Sequence, residues 1–334
     1  MTLEEDSLKL SKVELEFFKQ QLGTEDEAEI KDHIVEVGTR AHKVFNYGCI
    51  SSFFFVKYAR SSFYSIGLTQ DLTTESSDSS RKHTTLRNLT PIEHIAALWN
   101  HALNEKTDCI LTLDVVVSIP WLLGRSTFQR QQLLATNTNL VGADLRKAVV
   151  DGLPVQKAIG SDIQQEFWGL GHELFKSTPE TFPATFVSGD AFDKAFISGR
   201  GPCAEAPTGP LPDLKTLTSF IPLQGRITAI HVANVFHLFN KEKQLELAQA
   251  LSSLLSPVPG SVIFGSHAAK EVPGEYTNHR GETNFAHNPE SWKELWDGGV
   301  FPAGSIQVRT KLFPVPFAQK FGMEFAMFWS CTVV

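Results

Sequence analysis

Two aspartates, Asp162 and Asp190, each follow a short apolar segment of the sequence, in the strings AIGSD and FVSGD. If these segments are neighbouring parallel strands, both carboxylates lie at the carboxyl edge of one sheet, where such sheets bind ligands. Asp162 could there accept hydrogen bonds from both hydroxyls of a ribose, and Asp190 could accept one from an adenine amino group. A helix N-cap is the alternative role for each acid. The adjoining Ile163, Ala191 and Phe192 are assigned to the same nucleotide site.

Two histidines, His231 and His237, lie in HVANVFHLF at the ligand end of a further predicted strand. Because histidine titrates near neutrality, both are candidates for accepting a proton from a bound substrate. His231 is also assigned to the nucleotide site. A buried structural histidine is the alternative for each.

Alternating strand and helix patterns position these residues. Apolar, β-branched segments predict strands at 109–117, 158–162, 184–189, 227–232, 261–266, 305–313 and 323–333. Helical periodicity or short helical segments are found at 143–150, 165–175, 214–220, 241–255 and 289–297. Such alternation predicts an α/β fold with a doubly wound, mainly parallel, seven-stranded sheet that ends in an antiparallel hairpin.

The N-terminal third has a different pattern. Helical spacing of apolar residues predicts two helices at 8–21 and 25–45, and Pro91 stands where a further helix would begin. Between them, residues 51–89 include a Ser/Thr-rich, low-complexity part that predicts a disordered loop. We therefore predict a helical cap over residues 1–105 and a sheet domain over residues 106–334.

Composition restricts the class of partner. The formal net charge is -7 and the sequence has no long Lys/Arg block, so it predicts no basic surface for binding nucleic acid or an anionic membrane. No apolar run is long enough to span a bilayer, and the N-terminus is acidic, which predicts a cytoplasmic protein. Four widely separated cysteines and dispersed histidines predict no metal site. A small molecule is the expected partner, and a homodimer is possible.

Several sequence blocks narrow the class further. DLRKAVVDGLPVQKAIGSDIQQEFWGLGHELF, FVSGDAFD, LTSFIPLQGRITAIHVANVFHLF, LSSLLSPVPGSVIFGSH and FAHNPESWKELWD occur in this order. Together they resemble the class I S-adenosylmethionine-dependent methyltransferases of fungal secondary metabolism, including those that methylate carboxyl groups of meroterpenoids. EIKDHIVEVGTRAHKVFNYGCI is similar to the leading helices of that family, which cover the active site.

The resemblance implies a Rossmann-like fold and methyl transfer from S-adenosylmethionine to a terpenoid or polyketide-like acceptor. A carboxylate acceptor would need no catalytic base, whereas a phenol would. Tyr47, His267 and His287 are candidates for the acceptor pocket. Two alternatives stay open: a methyltransferase-like binding protein that no longer catalyses, and an NAD(P)-dependent oxidoreductase, which would place a ribose acid similarly.

The chain departs from the family at its first motif. Such enzymes have a strand that ends in a small-residue turn, directly followed by DLRK. Here LTLDV, with Asp114, supplies the strand, and Gly142 supplies the last glycine before the helix. Between them, residues 116–141 match nothing in the pattern and replace the central Gly-Cys-Cys. This segment is either a real loop over the cofactor or translated noncoding sequence, and we favour the second because both flanks are intact; cDNA that lacks these codons would establish it.

Overall fold

The computed structural model describes residues 8–44, 53, 110–113, 141–278, 281–314 and 324–334. Tyr47, Asp114, residues 116–140 of the predicted insert and the predicted helix after Pro91 lie outside the described residues. So does the predicted boundary at residues 105 and 106, and nearly all of the 51–89 segment.

The core is a seven-stranded sheet. In chain order its strands are β1 (Ile110–Leu113), β2 (Ala158–Ser161), β3 (Thr185–Phe186), β4 (Ala229–Ala233) and β5 (Val262–Ala269), followed by β8 (Ile306–Pro314) and β9 (Phe325–Val333). The spatial order is β3-β2-β1-β4-β5-β9-β8. The first five strands are parallel, and β9 pairs antiparallel with both β5 and β8. The predicted alternation and closing antiparallel pair are therefore present.

Six α-helices are described. They are α1 (Lys12–Leu22), α2 (Glu27–Val44), α3 (Ala143–Val150), α4 (Gln165–Leu174), α5 (Lys241–Leu254) and α6 (Pro289–Trp296). Local sequence accounts for where several begin. Asn240 caps α5 by accepting from the Lys243 N–H, and Asn288 forms a capping box with Ser291 at the start of α6.

The two N-terminal helices dock on α4. Their buried apolar faces form one cluster with residues of α4 and its C-terminal flank: Phe17, Phe18, Ile30, Ile34, Phe167, Leu174 and Phe175. The His33 ring Nε2 lies 3.1 Å from the carbonyl oxygens of Glu173 and Leu174, and Arg40 forms an ion pair with Glu173. The helices themselves are as predicted, and their role as a lid stays a prediction.

Two sequence-based expectations differ from the structure. The prediction of a helix at 214–220 is wrong. The structure has two 3-10 turns in this region, Leu214–Thr216 and Ile221–Leu223, and the backbone at Leu217 between them is extended. The second difference is a separate two-stranded sheet, β6 (Gly274–Thr277) and β7 (Thr283–Ala286), which forms an antiparallel hairpin after β5 where no strand was predicted. Both segments are too short for the periodicity of their apolar residues to identify the type of element.

Candidate active site

The carboxyl ends of β2 and β3 form one continuous rim. Asp162 directly follows β2, and its carbonyl oxygen accepts a hydrogen bond of 3.2 Å from the Gly189 N–H beyond β3. The Ser188 hydroxyl donates to the Ile163 carbonyl oxygen across the same gap, at 3.3 Å. These bonds hold Asp162 and Asp190 on adjacent loops, which is the arrangement predicted from the sequence.

Asp162 carries a buried carboxylate that is 2% exposed. Its Oδ1 accepts a hydrogen bond of 2.7 Å from the Gln164 N–H, which orients the side chain. The N-cap of α4 is Gln164, so Asp162 does not have the alternative role considered for it. A carboxylate held at a strand end in this way suits hydrogen bonds from sugar hydroxyls.

Asp190 lies in a turn rather than at the start of an α-helix, and its Oδ1 accepts from the Phe192 N–H at 2.9 Å. Ala191 is buried, and the half-buried Phe192 ring meets Phe239 edge-on at 4.9 Å. The Lys243 ammonium lies 4.4 Å from the Phe192 ring centroid. This loop therefore presents a carboxylate beside an aromatic wall.

Gly142 is the residue before α3 and has a left-handed backbone, with φ 71° and ψ 26°. A Cβ atom at this position would lie 2.9 Å from the Trp168 ring. Trp168 stacks on Phe186 at 4.9 Å and also approaches Gly160. The glycine is therefore required by its backbone conformation and by the half-buried indole that lies against it.

His231 lies within β4, opposite Thr112 of β1 and Phe264 of β5. Its ring is buried, and Nδ1 is 3.8 Å from Oδ2 of Asp144 in the first turn of α3. Burial lowers the pKa of His231 from its ordinary 6.5 to about 4, so the ring is neutral at pH 7 and the contact is not an ion pair.

His237 lies in the 3-10 turn Phe236–Leu238 that follows β4. Its Nδ1 accepts from the Ala268 N–H at 3.4 Å, and its carbonyl oxygen accepts from the Tyr276 hydroxyl at 2.6 Å. Burial lowers its pKa to about 4 as well. The residue is thus held by β5 on one side and by the β6-β7 hairpin on the other.

His267 and His287 lie together in an aromatic cluster between α6 and the sheet. The Trp292 ring lies 4.2 Å from the His267 ring and 5.3 Å from the His287 ring, and Phe236 and Trp329 close the cluster. His287 Nδ1 lies 2.8 Å from the Ser291 hydroxyl. Burial lowers the pKa of His287 to about 4, and it also holds the pKa of His267 well below its ordinary value.

The lowered pKa values of these four histidines make the free energy of unfolding depend on pH. Their pKa values in the folded state lie below the value in the unfolded state, so the unfolded state binds more protons as the pH falls. The free energy of unfolding is therefore highest above about pH 6.5 and decreases as the pH falls from there towards 4. Urea unfolding at pH 5 and pH 7.5 measures the effect. His287→Gln should reduce the loss by up to about 1.4 kcal/mol per pH unit, whereas an unchanged loss would contradict buried neutral His287.

The β6-β7 hairpin anchors the loop after β4 and was not predicted. The buried Gln244 amide of α5 donates to the Phe239 carbonyl oxygen at 2.9 Å and to the Phe285 carbonyl oxygen at 2.7 Å. Asn284 of β7 donates to the His237 carbonyl oxygen at 3.2 Å. A glutamine inside a helix gives no sequence signal for such a contact.

Gln244→Leu should lower the free energy of unfolding by about 2 kcal/mol, because a buried carbonyl oxygen loses its donor. The matched control is Gln249→Leu on the same helix, where the half-buried side chain has no such bond among the described residues. Urea unfolding followed by circular dichroism measures both variants. Equal losses would contradict a role for the Gln244 amide.

No group of His, Cys, Asp and Glu with metal-binding geometry occurs among the described residues. Over the same part of the chain, no helix combines the length and apolar character that crossing a bilayer requires. The order of the sheet, which reverses between β1 and β4, is that of a Rossmann-like fold.

Comparison with known proteins confirms the predicted resemblance. Residues 3–56 match the family model described as the meroterpenoid methyltransferase N-terminal domain. O-methyltransferase phiE of a fungal species (strain ATCC 74256) is 31% identical over 157 residues, which are 47% of this chain and 45% of that protein. Methyltransferase ausD of Aspergillus calidoustus is 27% identical over 172 residues, 51% of this chain and 52% of that protein. The matched region thus spans about half the length of these relatives.

One solved structure with a similar fold is 1,6-didemethyltoxoflavin-N1-methyltransferase of Burkholderia thailandensis, with bound 1,6-didemethyltoxoflavin and S-adenosylhomocysteine. It is 10% identical, with a TM-score of 0.41, and the match covers 78% of this chain and 93% of that chain.

Proposed function

We propose that this protein is an S-adenosylmethionine-dependent O-methyltransferase that methylates a carboxylate of a small natural product in secondary metabolism. The observation that carries the proposal is the pair of carboxylates, Asp162 and Asp190, on the joined ends of β2 and β3. The similarity to named fungal methyltransferases supports it. A terpenoid or polyketide-like acceptor follows from that similarity.

The residues present fit an adenosyl group. The buried, oriented carboxylate of Asp162 would accept the ribose hydroxyls, and Asp190 would accept the adenine amino group. Ile163, Ala191 and Phe192 would form the apolar walls of the site. Gly142 would allow the turn before α3 to approach the ligand, and Asp114 is proposed for the same turn. The bound cofactor would supply an activated methyl group on a sulfonium, so alignment is the main task left to the protein.

The histidines favour a carboxylate over a hydroxyl acceptor. A hydroxyl acceptor would have to pass its proton to His231 or His237, and a pKa of about 4 makes each a weak base at neutral pH. A carboxylic acid is already ionised at pH 7 and needs no base. We therefore propose that His231 orients the start of α3 through Asp144 next to the cofactor, and that His237 supports the acceptor side of the site.

Tyr47, His267 and His287 remain proposed acceptor contacts. His267 and His287 are buried together beneath α6, where neutral rings beside Trp292 would suit an apolar acceptor skeleton. Tyr47 would reach the acceptor if the N-terminal helices close over the sheet edge.

Calorimetry tests the proposal directly. S-adenosylhomocysteine should bind the full chain, and NAD should not. Titrating a second form, in which a short Gly-rich turn replaces residues 116–141, determines whether that segment impairs binding. Binding only by the shortened form would favour the alternative of a catalytically impaired binding protein, and no heat from either form at high micromolar concentration would contradict the proposal.

A further inference from the structure

A cluster of buried nitrogen atoms near the carboxyl end of β5 lacks hydrogen-bond partners. The atoms are both ring nitrogens of His267, Nε2 of His287, and the indole Nε1 atoms of Trp292 and Trp329, and none forms a hydrogen bond within the described part of the chain. Each of these side chains is at most 2% exposed. Buried polar groups normally have partners, because an unpaired group keeps the full cost of its desolvation. The cluster therefore has the character of a site for a polar ligand.

The four rings form one group at the carboxyl edge of the parallel strands. The Trp292 ring centroid lies 4.2 Å from that of His267, 5.3 Å from that of His287 and 4.9 Å from that of Trp329. His267 lies one residue beyond the level at which β4 ends. Because β1 and β4 separate β5 from β2 and β3, the cluster does not overlap with the two strand-end acids.

The chemistry of these atoms favours an anionic ligand. An indole Nε1 carries a hydrogen and can only donate, and a neutral imidazole contributes one further N–H. Trp292, Trp329 and His267 thus present three donors without partners among the described residues. A carboxylate has two oxygens that accept from several donors at once, and hydrogen bonds to a charged acceptor are stronger than those to a neutral one.

A cation lies on the solvent side of this cluster. The exposed Lys241 ammonium is 5.4 Å from the centroid of the half-buried Phe285 ring, and Phe285 in turn lies 4.8 Å from the His287 ring. The charge of Lys241 also contributes to the lowered pKa of His287. A positive charge at this place attracts anions towards the buried donors.

We propose that this cluster binds the carboxylate of the methyl acceptor, an inference that rests on the proposed function. Trp292, Trp329 and His267 donate to the carboxylate oxygens, and the faces of the aromatic rings contact the acceptor skeleton. Lys241 draws anionic acceptors to the side of the cluster that Phe285 borders. The site therefore selects carboxylic acids over amides of the same shape.

Benzoate and benzamide test this selection, because they have nearly the same shape and differ in charge. In calorimetry at pH 7 the parent should bind benzoate at least tenfold more tightly than benzamide. Trp292→Phe keeps an aromatic ring but removes one donor, so it should weaken benzoate about tenfold and leave benzamide unchanged. Trp296→Phe is the matched control, since Trp296 is buried on the same helix and makes no ring contact with either histidine in the described part of the chain.

A surface variant keeps the test independent of changes in the core. Lys241→Gln alters an exposed side chain and should fold as the parent does. It should weaken benzoate about twofold at low ionic strength and have no effect at high salt, because screening removes the attraction of an exposed charge.

Proton uptake gives a readout that a loosened core would not reproduce. A bound carboxylate raises the pKa of neighbouring histidines, so benzoate binding at pH 6 should take up part of a proton. Calorimetry in two buffers of different ionisation enthalpy measures this uptake, and His267→Gln should reduce it.

The outcomes separate this inference from the proposed function. No binding of benzoate by the parent, or equal affinity for benzoate and benzamide, would overturn the assignment. Parent affinity in Trp292→Phe, or equal losses in Trp292→Phe and Trp296→Phe, would also overturn it. In each of these cases S-adenosylhomocysteine binding by the same samples leaves the proposed function in place. Failure of the full chain and of the shortened form to bind S-adenosylhomocysteine would instead overturn the proposed function.

Discussion

Asp162→Asn is expected to weaken the binding of S-adenosylhomocysteine by about 10- to 100-fold. The carboxylate would accept both ribose hydroxyls, and hydrogen bonds to a charged acceptor contribute about 1.5–3 kcal/mol each. Asparagine has nearly the same shape, and its oxygen can still accept from the Gln164 N–H, so the loop should keep its conformation. Calorimetry with the purified variant measures the loss.

The control for this change is Asp213→Asn. Asp213 is exposed, and its Oδ1 accepts from the N–H two residues ahead, which is the same local contact that Asp162 makes. Its replacement should leave the affinity for S-adenosylhomocysteine unchanged, because Asp213 lies outside the carboxyl ends of β2 and β3. If Asp162→Asn retains the parent affinity while its circular dichroism spectrum is unchanged, the assignment of Asp162 to the ribose is wrong.

Gly142→Ala is expected to lower the free energy of unfolding by about 2–5 kcal/mol. A left-handed backbone costs an alanine about 1–2 kcal/mol. The added Cβ would also lie 2.9 Å from the Trp168 ring, which is held by its stacking on Phe186, and overpacking of this kind costs about 1–3 kcal/mol. Urea unfolding followed by circular dichroism gives the value.

Gly23→Ala separates the two contributions. Gly23 has φ 67° and ψ 29°, nearly the backbone of Gly142, but nothing lies within 4 Å of its virtual Cβ. Gly23→Ala should therefore lower the free energy of unfolding only by the cost of the left-handed backbone, about 1–2 kcal/mol. Equal losses for the two variants would show that Trp168 moves aside without cost, and combining Gly142→Ala with Trp168→Leu should recover part of the difference.

Local sequence signals were sufficient for most elements of the fold. The helical spacing in residues 143–150 and the apolar run at 158–161 correspond to α3 and β2 because each depends on a period of the chain itself. The same reasoning placed Asp162 and Asp190 at strand ends. It failed at residues 214–220, where Leu217 is extended between two 3-10 turns, and at the β6-β7 hairpin, whose strands have only four residues each.

By itself, the sequence determined the α/β alternation, the two strand-end acids and the resemblance to fungal methyltransferases, because these are properties of consecutive residues. Only the tertiary structure decided the protonation state of the histidines. Their types suggested proton acceptors, but desolvation by β-strands, α6 and the hairpin lowers their pKa values.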